Sequence, residues 1–171
     1  RNGDRQRFTE RAGFFSRTCD ALMKRFLVIG KTGCGKTSLL QRIFGRDLIY
    51  QKTQTVESFE NAVDTPGEYL ERKGLYHALI VTATDCDEIL LLQAVDDENS
   101  SFPPGLDACF HMPVTGVITK ADLAYGNERA LNTARQILLD AGALNIFVVS
   151  AKTSAGLEAL RSVVLEESCS D

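Results

Sequence analysis

The stretch Gly30-Lys31-Thr32-Gly33-Cys34-Gly35-Lys36-Thr37 decides the fold. It reads G-x-x-x-x-G-K-T and lies between a short apolar run, Arg25-Phe26-Leu27-Val28-Ile29, and a helical stretch over 36–44 that Gly45 stops. Glycines let the backbone curl until its N–H groups point at phosphate oxygens. The helix beginning near Lys36 brings the positive end of its dipole to the same place. Lys36 is expected to reach the β- and γ-phosphates, and the Thr37 hydroxyl to ligate Mg²⁺. Gly30, Lys31, Thr32, Gly33, Cys34, Gly35 and Ser38 complete the expected phosphate contacts. The loop therefore implies a nucleoside triphosphate with Mg²⁺. Cys34 has two readings: a small side chain that fits between two glycines, or a thiol activated by the helix N-terminus whose oxidation would block the site.

Working outward, short apolar strands alternate with amphipathic helices. After a polar, irregular stretch over 46–58, a second strand is expected at 60–64, ending in the turn Thr65-Pro66-Gly67. A helix follows over about 70–84, a buried strand over 88–94 and a loop over 96–105 rich in Ser, Pro and Gly. Next come a short helix at 106–110, a strand at 114–119 and a helix over 127–141 ended by Gly142. The last strand is expected at 145–150 and the last helix at 154–165. This alternation implies a parallel sheet with helices on both faces.

Three further motifs stand at strand ends, where open α/β sheets bind ligands. Asp64-Thr65-Pro66-Gly67 places a carboxylate that can hold a water of the Mg²⁺ shell and a Gly67 N–H that can report the γ-phosphate. Glu68 follows, where a residue orienting the attacking water is expected, although its charge opposes that of the phosphate. Thr119-Lys120-Ala121-Asp122 resembles the N/T-K-x-D pattern that reads guanine: Asp122 accepts from the base edge and the Lys120 stem packs on the base plane. Ser150-Ala151-Lys152 supplies a backbone N–H to the guanine oxygen. GTP and GDP are therefore favoured, with ATP and ADP as the alternative.

The chain has 171 residues, 44% of them hydrophobic and 25% charged, a balance that suits one soluble domain. The first 25 residues hold seven cations against three acids, net +4, so a total of −4 leaves −8 on the other 146. An acidic body argues against nucleic acid as a partner. No apolar run is long enough for a membrane span, and residues 1–22 lack the apolar core of a secretory signal. The five cysteines are odd in number and have no CxxC spacing, which fits reduced thiols in the cytoplasm and no zinc site. In residues 1–22, Phe8, Ala12, Phe15, Cys19 and Leu22 form one stripe of an amphipathic helix. It reads as a solvated extension or cloning remnant, or as a docking helix, with membrane-surface binding a third reading. A globular domain is expected over 23–167 and a short tail over 168–171.

The four motifs together resemble the small P-loop GTPase superfamily, and more closely the EutP/PduV family of bacterial microcompartment-associated proteins. The stretches that carry the likeness are Lys24-Arg25 into GKTGCGKTSL, Tyr50-Gln51-Lys52-Thr53-Gln54, then Asp64 to Glu71 (DTPGEYLE) and Gly116 to Leu123 (GVITKADL). The resemblance covers roughly residues 23–165. It implies a three-layer α/β/α fold with a mainly parallel five-strand sheet, and a cytoplasmic role at a microcompartment for ethanolamine or propanediol utilisation. Slow GTP hydrolysis is one implied activity; acetate kinase activity with ATP is the alternative, and a nucleotide-loaded adaptor with little catalysis is another. It also implies that Thr53, with Thr55 as the alternative, joins Thr37 and Asp64 at the Mg²⁺, and that residues 1–22, which precede the family's usual start near Met23, could dock on shell or enzyme proteins. Only ten residues separate Thr53 from Asp64, so the edge strand next to 60–64 should be reduced or absent. No arginine finger is assignable; Arg42 and Arg46 lie too near the first helix. A small acceptor could sit near Glu68, Arg72 and Lys73.

Overall fold

The computed structural model describes residues 24–49, 57–59 (backbone alone), 61–72 and 75–165. The stripe in residues 1–22, Thr53, Thr55, Lys73 and the tail lie outside them. Strand β1 (Phe26–Gly30) is the apolar run before the glycine loop, and all five of its residues are buried. Side chains alternate across a strand, so β1 feeds two cores. Phe26 and Val28 enter one with Leu39, Leu40, Leu160 and Val164. Leu27 and Ile29 enter the other with Leu79, Ile137 and Leu138.

Helix α1 (Lys36–Ile43) and helix α5 (Leu157–Val164) cover the first face. Helices α3 (Tyr76–Ala83) and α4 (Glu128–Asp140) cover the second. Between them lies a six-stranded sheet in the order β2-β3-β1-β4-β5-β6. Its members are β2 (Glu57–Phe59), β3 (Ala62–Asp64), β4 (Glu88–Ala94), β5 (Val114–Thr119) and β6 (Asn145–Val148) besides β1. The five strands from β3 to β6 run parallel, as the alternation of strand and helix requires. The edge strand β2 is reduced to three residues and pairs antiparallel, Glu57 opposite Asp64 and Phe59 opposite Ala62. The three-layer α/β/α architecture expected from the sequence is therefore present, with its edge strand reduced.

Several boundaries moved. Residues 57–59 pair as a strand instead of continuing the irregular stretch, because β3 supplies the ladder that their own polar pattern does not advertise. Strand β3 starts at Ala62, after a turn at Asn61, whose side-chain amide donates to the Lys24 carbonyl at 2.8 Å. The single helix expected over 70–84 is two: α2 (Glu68–Glu71) stops where Arg72 turns extended, φ −110° and ψ 112°, and α3 begins at Tyr76. No helix among the described residues is long and apolar enough to cross a membrane.

Candidate functional site

Every motif lies at the carboxyl end of its strand, so the parallel sheet gathers them along one edge. The glycine loop leaves β1 and enters α1 through Gly33 and Gly35, whose φ angles of 78° and 97° are left-handed values that a side chain resists. Lys36 is 5% exposed, and its ammonium donates to the carbonyls of Gly30 at 2.8 Å and Lys31 at 3.1 Å. The lysine thus braces the curl of its own loop. The first turn of α1 holds no acidic residue, so nothing there opposes an incoming anion. Cys34 is buried, and loss of hydration pushes its thiol up despite the nearby Lys36 ammonium. A buried thiol held protonated is a poor target for oxidation, which favours the packing reading of Cys34.

The Thr37 hydroxyl donates to the Asp64 carboxylate at 2.6 Å, from the start of α1 to the end of β3. Two hard oxygen donors beside a phosphate-binding loop suit Mg²⁺, which takes one or two protein oxygens and completes its shell with water and phosphate. Thr65 Oγ1 donates to the Val28 carbonyl at 2.7 Å and fixes the strand end beyond the carboxylate. Gly67 then touches the phosphate loop itself. A Cβ there would stand 2.2 Å from the Thr32 nitrogen. Glu68 opens α2. Three residues on, the Glu71 carboxylate accepts from the Thr32 N–H at 2.9 Å, and that bond chiefly holds its carboxyl below the ordinary carboxylate value.

At the other end, Thr119 is 4% exposed and its hydroxyl donates to the Cys34 carbonyl at 2.6 Å, tying the T-K-x-D motif to the glycine loop. Lys120 adopts φ 56° and pairs with Asp96 at 3.0 Å. Asp122 accepts from the fully buried Ser150 hydroxyl at 2.6 Å, and that hydroxyl also receives the Thr153 N–H at 3.2 Å. Asp97, beside Asp96, pairs with Lys31 at 2.6 Å. The two acids at the end of β4 therefore hold one lysine of each motif.

One pocket of about 660 Å³ spans both ends. Thr32, Gly33, Gly35, Lys36, Thr37, Ser38 and Gly67 line it on the phosphate side, and Thr119, Lys120, Asp122, Ala151 and Lys152 on the other. Gly30, Lys31, Cys34, Asp64, Glu68 and Ser150 stand outside that lining. Sequence reasoning gave no role to Asp96, Asp97, Glu71 or Leu123, the last of which also lines the pocket. The Asp96-Asp97 pair carried a usable signal: acids at the carboxyl end of a buried strand. Leu123 carried none.

A family model described as "Ethanolamine utilisation - propanediol utilisation" matches residues 23–166. The chain is 42% identical over 136 residues to "Propanediol utilization protein PduV" of Citrobacter freundii, covering 80% of this chain and 89% of that one. It is 37% identical over 122 residues to "Probable acetate kinase EutP" of Salmonella typhimurium, covering 70% and 75% of the two chains. Among solved structures, the bacterial selenocysteine-specific elongation factor EF-Sec superposes with a TM-score of 0.60 at 18% identity. That match covers 82% of this chain and 28% of the factor, and at such identity it shows the fold alone.

Proposed function

The chain belongs to the ethanolamine and propanediol utilisation family, PduV-EutP, and from that premise we propose that it binds a guanine nucleoside triphosphate with Mg²⁺ and hydrolyses it slowly. One observation carries the reading: a single pocket with a phosphate-binding loop at one end and the T-K-x-D and Ser-Ala-Lys motifs at the other. Its lining supports a nucleotide lying from γ-phosphate to base.

In this reading the amides of the loop and the start of α1 take the phosphate oxygens, and Lys36 turns from the Gly30 and Lys31 carbonyls toward the β- and γ-phosphates. Thr37 and Asp64 would hold Mg²⁺, with Thr53 as a further ligand, and the ion would supply charge stabilisation to the departing phosphate. Water attacks the γ-phosphorus while the bond to the bridging oxygen breaks, releasing phosphate and the diphosphate. Glu68 would orient the water and the Gly67 N–H would sense the γ-phosphate. With no arginine finger assigned in the chain and a glutamate as the water-positioning group, turnover is on the order of 10⁻⁴–10⁻² s⁻¹. Residues 1–22 dock on shell or enzyme proteins of a microcompartment. Full co-purification of a chain lacking them with shells would sink that part.

A second reading draws on the name of the Salmonella relative. There the same loop passes a phosphoryl group between ATP and acetate. Phosphate release from GTP and acetyl phosphate formation from ATP plus acetate, measured side by side, separate the two. GTP turnover indifferent to acetate supports hydrolysis, and acetate-dependent turnover of ATP supports the kinase.

A further inference from the structure

Helix α1 does more than begin at the phosphate loop. From its last turn, Arg42 reaches the opposite end of the pocket, where its Nε donates to the Ala151 carbonyl at 2.9 Å. The two residues are 109 apart in sequence. Ala151 and Lys152 both line the pocket. The loop they occupy is pinned on its other side by Ser150, whose hydroxyl donates to Asp122 and whose N–H donates to the Ala155 carbonyl at 3.0 Å. None of these bonds holds the Ala151–Lys152 peptide, and Arg42 holds it through the Ala151 carbonyl. In a trans peptide the carbonyl and the N–H point in opposite directions. Drawing the Ala151 carbonyl toward α1 therefore turns the Lys152 N–H the other way.

We propose that Arg42 is a positioning residue for base recognition, fixing the Ala151–Lys152 peptide so that its N–H meets a purine 6-oxo group. This rests on the guanine reading of the pocket and adds a division of labour to it. Asp122 reads the N1 and 2-amino edge, whereas the peptide held by Arg42 reads the atom at position 6. A 6-oxo group accepts from a backbone N–H. The 6-amino group of adenine is a donor and meets that N–H unfavourably.

The test uses the full chain and three nucleotides with Mg²⁺: GTP, ITP and ATP. GTP and ITP share the 6-oxo group and differ in the 2-amino group; ATP differs at position 6. Dissociation constants are measured for the wild type, Arg42→Gln, Arg42→Lys and Asp122→Asn. The ratio of two constants does not depend on the folded fraction, so a partly destabilised variant still reports. Arg42→Gln is expected to lower the GTP-over-ATP preference roughly three- to tenfold, the size of one misplaced hydrogen bond. It should leave GTP over ITP within about twofold, the scatter among near-neutral changes. Arg42→Lys, which keeps a donor, should recover part of the preference, and Asp122→Asn, unlike Arg42→Gln, should lower GTP over ITP as well as GTP over ATP. An unchanged GTP-to-ATP ratio in Arg42→Gln, or an equal loss of all three nucleotides, overturns the proposal. A wild type that does not prefer GTP overturns the guanine reading itself, and does so before any variant is made.

Discussion

Replacing Gly67 with alanine tests how closely the segment after Asp64 must approach the phosphate loop. Gly67 has φ −59° and ψ −25°, helical values open to any residue, so Gly67→Ala carries no backbone penalty. Its effect is steric. The new Cβ would stand 2.2 Å from the Thr32 nitrogen, 2.5 Å from its Cα and 2.6 Å from its Oγ1, whereas ordinary contact begins at 3.4 Å. Relief needs a separation of about 1.2 Å between two stretches of backbone, neither of them a flexible side chain. The loop side is braced by Lys36 and Thr119. Overpacking of this kind costs about 1–3 kcal/mol. At ~2–4 °C per kcal/mol for a chain of this size, Tm should fall by roughly 2–12 °C. If residues 67–71 swing outward instead, Tm falls less, but the Gly67 N–H moves farther than a hydrogen bond tolerates. Both routes lose the proposed contact to a γ-phosphate, and a hydrogen bond to a charged group is worth about 1.5–3 kcal/mol. Fluorescent-nucleotide titration should therefore show triphosphate affinity reduced at least ~10-fold, with diphosphate affinity held within about threefold. Equal losses for both would refute the reasoning, as would wild-type binding with a wild-type Tm.

Three other outcomes follow from the same geometry. Asp122→Ala removes the proposed base-edge acceptor and leaves the buried Ser150 hydroxyl without the carboxylate it now donates to, so GTP affinity should fall by about 10-fold or more while ATP affinity stays level; parallel losses in calorimetry would count against a base-reading role. Thr37→Ala deletes the hydroxyl bonded to Asp64, and titrations with and without EDTA should show weak nucleotide binding that no longer responds to Mg²⁺. The pH dependence of the Glu71–Thr32 bond has a defined sign. The folded carboxyl sits below its ordinary value of 4.5, so the stability it contributes is complete above that pH and is lost as pH falls through the folded value. Glu71→Gln should flatten the acid limb of the Tm–pH curve below about pH 4.5, and a limb identical to the wild type would show that the bond does not matter.

How much of this was legible in the sequence depends on the range of each interaction. The strand, glycine loop and first helix were readable because glycine, lysine and threonine at fixed local spacing mark a strand–loop–helix turn by themselves. The long amphipathic run of α4 was readable to within a residue at each end. The stretch after Gly67 was misread as one helix because the apolar spacing from Leu70 to Ala83 continues through Arg72, where the backbone leaves the helical region. The edge strand β2 was expected to be reduced or absent, and its place at 57–59 was not legible because its pairing with β3, not its own pattern, makes it a strand. The bonds that assemble the pocket are farther out of reach. Thr119 to Cys34 spans 85 residues, Arg42 to Ala151 spans 109 and Lys31 to Asp97 spans 66. Local spacing shows which residues carry chemistry. It does not show which side chains from distant strands hold them in place.

The central claim is that this pocket is built for a guanine nucleotide with Mg²⁺. Calorimetric titration of the wild-type chain with GTP and with ATP, each with and without Mg²⁺, tests it directly. The expected result is Mg²⁺-dependent binding of GTP that is roughly 10-fold or more tighter than that of ATP, the discrimination given by a base edge met with complementary hydrogen bonds. ATP binding as tightly as GTP, or GTP binding indifferent to Mg²⁺, would contradict it.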